Sequence, residues 1–181
     1  MKRPARPPVY GLLAEFEDKE RLLEAAGAAS REGYHALDAY TPLPVEGLSD
    51  AIGFHHTRLP WVVFAGAALG ALTGFGMQLY ASAVHYPLNI GGRPLNSWPA
   101  FIPITFELTI LGASLFAVFG LLALNGLPTP YHPLFNVDRF EFASREALFL
   151  CVKSRDPKFD RATTRAFLES LAPKGVWEVP W

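Results

Sequence analysis

A long stretch in the middle of the chain is almost without formal charge, and this limits the folds that it can adopt. Between Arg58 and Asp138 only Arg93 and Glu107 are charged, and all the other Lys, Arg, Asp and Glu residues lie in the flanks. The uncharged stretch contains two long apolar runs. Runs of about 20 apolar residues are long enough to cross a bilayer as helices. The sequence therefore predicts a membrane protein with polar ends.

The two apolar runs predict a transmembrane helical hairpin over residues 59–127, with helices at about 60–84 and 99–124 and an outer loop at 85–98. Pro60 suits the first position of a helix, where its missing N–H has no intrahelical partner. Asn125-Gly126 followed by Pro128 ends the second helix.

The orientation of the hairpin follows from the basic residues. Seven Lys and Arg residues precede the first run and eight follow the second, whereas the connecting loop holds only Arg93. Basic residues are enriched on the cytoplasmic side of membrane proteins. Both termini are therefore predicted to be cytoplasmic. The start, MKRPARPPVYGLL, has no uninterrupted apolar segment, and we expect no signal peptide there.

The flanks, residues 1–58 and 128–181, each show a strand–helix–strand pattern. The apolar face of the first helix repeats at helical spacing, and Gly33 is a stop signal. Two such halves commonly join in a ferredoxin-like sandwich of a four-stranded antiparallel sheet and two helices. We expect an α+β cytoplasmic domain split by the hairpin. Its predicted elements are strands at 8–17, 34–44, 147–154 and 175–181, and helices at 18–33 and 156–173.

Small residues recur on one face of the first apolar run. Gly66, Gly70 and Gly74 are four residues apart, which places them on one side of a helix. Such a face permits close approach of a second helix. We interpret it as a packing face, against the second apolar helix or a partner helix.

Glu107 lies in the second apolar run, where a carboxylate is costly and commonly functional. One interpretation is proton handling or contact with a polar partner. The favoured one is structural: a helix beginning near Thr105 would place Glu107 in its first turn, where the helix dipole stabilises an anion. Pro99 and Pro103 favour such a late start. Arg93 is a candidate ion-pair partner.

The remaining candidate groups indicate no catalytic centre. Adjacent His55 and His56, with His132, are candidates for metal or haem ligation, but their spacing matches no known signature and hydrogen bonding is favoured. Cys151 is the single cysteine, so the chain alone holds neither a disulfide nor an iron–sulfur cluster, and we expect a buried thiol. Phosphate-loop, GxSxG, HExxH and CxxCH motifs are absent. The near-neutral, mixed charge gives no support for nucleic-acid binding.

Three segments of the sequence carry a resemblance to a known family. They are VEGLSDAIGFHHTRLPW before the hairpin, YPLNIGGRPLNSWPAFIPITFELT in its loop and second helix, and LALNGLPTPYHPLFNVDRF after it. Together with AEFEDKERLLEAA and ASREALFLCVKSRDPKFDRATTRAFLESL, they resemble the D-subunit family of the bacterial alternative complex III, a quinol-oxidising respiratory assembly.

The resemblance implies a two-span subunit of the bacterial cytoplasmic membrane with no redox cofactor and no catalytic residue of its own. Its implied partners are cytochrome c subunits with haem c, an iron–sulfur subunit and polysulfide-reductase-like membrane subunits. The candidates for partner contact and packing are then Arg93, Pro94, Trp98, Pro99, Pro103 and Glu107. Two alternatives stay open: a proton route through Glu107 at a subunit boundary, and a regulatory domain that binds a small ligand.

Overall fold

The computed structural model describes residues 9–54 and 57–181. The chain divides into two compact units. One unit combines the two ends of the chain, Met1–His55 and Pro130–Trp181, and the other is the middle segment, His56–Thr129.

The secondary structure of the described residues comprises four strands and five α-helices. The strands are β1 (Gly11–Phe16), β2 (Leu37–Tyr40), β3 (Leu148–Lys153) and β4 (Gly175–Val179). The helices are α1 (Lys19–Glu32), α2 (Leu48–Ala51), α3 (Leu59–Tyr80), α4 (Trp98–Leu124) and α5 (Arg161–Ser170).

The four strands form one antiparallel sheet in the order β2-β3-β1-β4. β1 is central, and its Leu13 lies opposite Cys151 of β3 and Trp177 of β4. Each end of the chain thus supplies two strands to the same sheet. This confirms the predicted four-stranded antiparallel sheet and explains why neither βαβ half buries its apolar face alone.

Local capping sets the bounds of the two longer helices of this unit. The Asp18 carboxylate accepts a hydrogen bond from the Arg21 backbone N–H at 2.7 Å and so begins α1. Asp160 does the same for α5 through the N–H groups of Ala162 and Thr163. Side-chain acceptors at this position satisfy N–H groups that have no partner within the helix. Gly33, at φ 96°, ends α1 in the left-handed conformation that glycine tolerates best.

The sheet buries apolar side chains on both faces. One face packs Leu12, Ala14 and Phe16 against Leu22 of α1 and Leu168 of α5. The other face is covered by two 3₁₀ turns, Pro133–Asn136 and Asp138–Ser144. From this segment Leu134, Val137 and Phe140 pack with Leu13, Phe149 and Cys151 and form a second apolar cluster. This second cover was not predicted from the sequence.

The middle unit is a pair of antiparallel helices, α3 and α4, joined by a loop. A π-helical turn, Ala81–His85, extends α3. The continuous helix Leu59–His85 and α4 are both long and apolar enough to cross a membrane. The outward surfaces of these helices are rich in exposed apolar side chains.

Candidate interaction surfaces

Three glycines of α3 lie directly against α4. A Cβ atom added at Gly66 would lie 2.5 Å from Phe116 Cβ, and one at Gly74 would lie 2.9 Å from Thr105 Cα. At Gly70 it would overlap the Leu108 carbonyl oxygen. Real side chains do not approach within 3.0 Å in this way, so α3 and α4 come this close only because glycine occupies these positions.

Polar side chains inside the helix pair donate hydrogen bonds to backbone carbonyls of the two helices. The Gln78 side-chain amide donates to the Gly74 carbonyl at 2.9 Å and to the Phe101 carbonyl at 3.0 Å, which joins the two helices. Thr109 Oγ1 donates to the Thr105 carbonyl at 2.6 Å. The role of Gln78 was not predicted from the sequence, although a lone amide within an apolar run is a recognisable signal.

Glu107 lies outside this internal network. Because α4 begins at Trp98, Glu107 follows the helix start by nine residues, or about 13 Å, and no acidic residue lies in the first turn. The prediction that Glu107 lies at a helix start near Thr105 is therefore wrong. Pro99 is compatible with the earlier start, since N–H groups of the first turn need no intrahelical partner, whereas Pro103 lies inside the helix.

The structure does not bring Arg93 to Glu107. Among residues 9–54 and 57–181, no ion pair or hydrogen bond involves the Glu107 carboxylate, and its side chain is exposed. Arg93 belongs to the loop that precedes the helix, so the length of helix between them keeps the two charges apart. The predicted role of Glu107 in anchoring or proton transfer stays a prediction.

The loop between α3 and α4 is a defined turn. Asn89 Oδ1 accepts a hydrogen bond from the Gly92 N–H at 3.1 Å, and the Arg93 N–H donates to the Ile90 carbonyl at 3.1 Å. Gly91 and Gly92 have φ values of 60° and 77°, which only glycine adopts without strain. The loop and the end of α3 enclose a cavity of about 280 Å³, lined by Ser82, Tyr86, Leu88, Ile90, Arg93, Pro94 and Leu95.

The other loop-proximal candidates lie on the surface of α4. Trp98 is 58% exposed and, with Phe75 and Phe106, lines an apolar groove of about 290 Å³. Pro99 and Pro103 are exposed in the first two turns. Their predicted contacts with other subunits stay predictions.

The α+β unit contains an aromatic cavity of about 470 Å³ between β2 and the 3₁₀ turns. Tyr40 and His132 line it, and Tyr10 Oη lies 3.3 Å from His132 Nε2. The Tyr40 hydroxyl donates to Asp38 at 3.1 Å, and Asp38 also pairs with Lys153. Burial raises the pKa of Tyr10 to about 12 and also raises the pKa of Tyr40, where Asp38 adds to the effect. Both phenols are therefore neutral at physiological pH.

A family model supplies the decisive comparison. The model described as alternative complex III, ActD subunit, matches residues 10–178. The chain belongs to the ActD subunit family of alternative complex III. No curated protein matches the chain. Family membership and the two apolar helices together indicate a membrane location and assembly with other subunits of the complex.

The predicted histidine cluster is not seen in the described residues of this ActD-family chain. In that part of the chain no group of three or more His, Cys, Asp or Glu side chains is placed to hold a metal ion. His132 instead contacts Tyr10, and its Nδ1 accepts from the Leu134 N–H at 3.4 Å. His55 and His56 lie outside the described residues. Cys151 is fully buried, and desolvation raises its pKa to about 12, so its thiol is unreactive in the folded state.

An ion pair between a buried carboxylate and a partly exposed arginine joins the sheet to the 3₁₀ turns of the ActD-family chain. Glu15 of β1 is 2% exposed, and its two carboxylate oxygens accept from Nε and Nη2 of Arg139, both at 2.7 Å. Arg139 also lies over the Phe142 ring, 4.7 Å from its centroid. The pair was not recognisable in the sequence because 124 residues separate its members.

The α+β unit is expected to lose stability in mild acid through His132. Desolvation lowers the pKa of His132 below its ordinary 6.5, and Lys153 acts in the same direction against the opposing effect of Asp38. The unfolded chain therefore binds a proton at a higher pH than the folded chain, and stability falls as the pH drops through 6.5 and below.

A His132→Phe variant tests this effect, because it keeps a ring at this position but cannot be protonated. Its melting temperature is expected to fall less between pH 7.5 and pH 5.5 than that of the natural chain. Equal slopes for the two proteins would show that His132 does not contribute to the acid sensitivity.

Proposed function

We propose that this chain is a non-catalytic structural and interaction subunit of a quinol-oxidising alternative complex III. The observation that carries the proposal is the family match over residues 10–178. The geometry supports it. Close packing of the two helices occurs at Gly66, Gly70 and Gly74, and the exposed apolar side chains on the outside of the pair can contact lipid and neighbouring subunits.

The redox chemistry of the complex belongs, in this proposal, to the partner subunits. Haem c in cytochrome c subunits and clusters in an iron–sulfur subunit carry the electrons to a cytochrome c or an oxidase. Polysulfide-reductase-like membrane subunits are the membrane-embedded partners. The ActD-family chain binds no cofactor and contributes contacts.

The α+β unit is assigned in this proposal to the ferredoxin-like class, on the cytoplasmic side of the bacterial inner membrane. The strand order β2-β3-β1-β4, with α1 and α5 connecting its strands, supports the class. The basic residues of both flanks support the orientation. The α+β unit then offers a docking surface for subunits on that side.

The experiment that tests the proposal is purification of the tagged chain from native membranes in mild detergent. Partners are identified by mass spectrometry, and haem is measured by a reduced-minus-oxidised spectrum. Co-purification of cytochrome c subunits with quinol-oxidising activity is expected. A colourless preparation that contains only this chain would contradict the proposal.

A proton route through Glu107 is the second candidate function, and the exposed position of this carboxylate on α4 favours it. A Glu107→Gln variant of the complex tests it, because glutamine keeps the size and hydrogen bonding but cannot carry a proton. Altered proton movement per electron with intact assembly and quinol oxidation would support the route. Unchanged proton movement would refute it.

A further inference from the structure

The polar residues of α4 divide between two opposite faces of the helix. Thr105 and Gly112 mark the face that packs against α3. At about 100° per residue, Glu107 lies about 200° from Thr105 around the helix axis. Ser114 follows Glu107 by seven residues, close to two full turns, and so lies on the same outward face. Both side chains are exposed.

The two faces differ in how their polar groups are satisfied. On the inward face Thr109 donates to the Thr105 carbonyl, and the Phe101 carbonyl accepts from Gln78 of α3. On the outward face neither the Glu107 carboxylate nor the Ser114 hydroxyl has a partner within the described part of the chain. The hairpin therefore completes its own polar contacts and leaves those of one face open.

The open groups require a partner other than lipid tails. An ionised carboxylate is an acceptor for several hydrogen bonds and is costly in hydrocarbon unless a charge or donor meets it. Ile110 and Leu121 continue the same face, and each is 48% exposed. Ile110 lies three residues after Glu107 and four before Ser114, and Leu121 lies seven after Ser114. Spacings of three, four and seven are typical of a helix that packs along another helix.

We propose that the α4 face formed by Glu107, Ile110, Ser114 and Leu121 docks a membrane-spanning helix of another subunit, which presents a cationic side chain to Glu107. Charge complementarity identifies this occupant. The proposal rests on the proposed function, because it needs a complex in which a second membrane subunit is present. Ser114 supplies a second polar contact two turns along the same helix.

Site-specific photo-crosslinking in the intact complex tests the docking face. A benzophenone amino acid is placed at Ile110 or Ser114 and, as matched controls on the flanks of α4, at Phe106 or Leu115, which are 62% and 46% exposed. Irradiation is expected to give about tenfold more protein adduct from the two outward positions than from the controls. The crosslinked peptide is expected to lie in a membrane helix with Arg, Lys or His near the level of Glu107.

Charge reversal supplies the second measurement. Glu107→Lys is expected to lower the amount of this chain bound per complex by about tenfold, whereas Phe106→Lys, which also places a cation on α4, has a smaller effect. Exchanging the crosslinked cation of the partner for glutamate is expected to restore binding of the Glu107→Lys chain.

Four outcomes would overturn the docking proposal: adducts with lipid alone, equal yields at all four positions, a crosslink to a second copy of this chain, or a partner helix without a cationic residue. Co-purification of the other subunits is recorded in the same samples. If the other subunits co-purify but Ile110 and Ser114 give no more adduct than the control positions, only this inference fails. If they do not co-purify from natural membranes, the proposed function fails first.

Discussion

Replacing Gly70 by leucine is expected to force α3 and α4 apart. A Cβ atom at Gly70 already overlaps the Leu108 carbonyl and lies 3.1 Å from Thr109 Cα, so neither neighbour is a flexible side-chain end that can move aside. Overpacking of this kind costs about 1–3 kcal/mol, and separation also breaks the Gln78 to Phe101 hydrogen bond. The expected result is a lower melting temperature in detergent, faster proteolysis and less chain recovered from membranes.

Gly76 provides a matched control in the same helix. A Cβ atom there meets nothing within 4 Å, so Gly76→Leu adds the same side chain without touching α4. Its melting temperature is expected to match that of the natural chain, and Gly70→Ala is expected to fall between the two. If Gly70→Leu and Gly76→Leu behave alike, close packing at Gly70 does not hold the helix pair together.

The apolar helices and the sheet were predictable because each depends on a local pattern. An uncharged run indicates a membrane helix, and a strand–helix–strand pattern in each flank indicates a shared sheet. The spacing of Gly66, Gly70 and Gly74 likewise identifies a packing face from one helix alone. The helix against which the face packs depends on how the chain folds back, which the spacing does not determine.

Features that depend on distant contacts were not predictable. The 3₁₀ turns between Pro133 and Ser144 have neither the helical nor the strand periodicity, so their cover of the sheet could not be recognised from the sequence. Glu15 pairs with Arg139 only because β1 and the second 3₁₀ turn meet across that face. The predicted helix start near Thr105 was wrong for a local reason, because prolines near a helix start favour a late beginning and yet α4 includes two of them.

Arg139→Ala is expected to destabilise the α+β unit strongly. It removes both side-chain donors of the Glu15 carboxylate, which is 2% exposed, and a buried polar group without its partner is strongly destabilising. A fall in melting temperature on the order of 10 °C is expected. Differential scanning fluorimetry of the purified full chain, followed through its tryptophans, measures the change.

Two further variants separate the buried charge from the loss of a side chain. Arg21→Ala removes an arginine whose partner, Glu24, is on the surface, and its melting temperature is expected to change little. The double variant Glu15→Leu with Arg139→Leu removes both charges and fills the space with apolar side chains, so it is expected to recover most of the stability lost in Arg139→Ala. If the double variant is as unstable as Arg139→Ala, the ion pair itself holds the 3₁₀ cover on the sheet. The stabilisation would then come from the two Glu15–Arg139 hydrogen bonds and not merely from avoiding an isolated carboxylate.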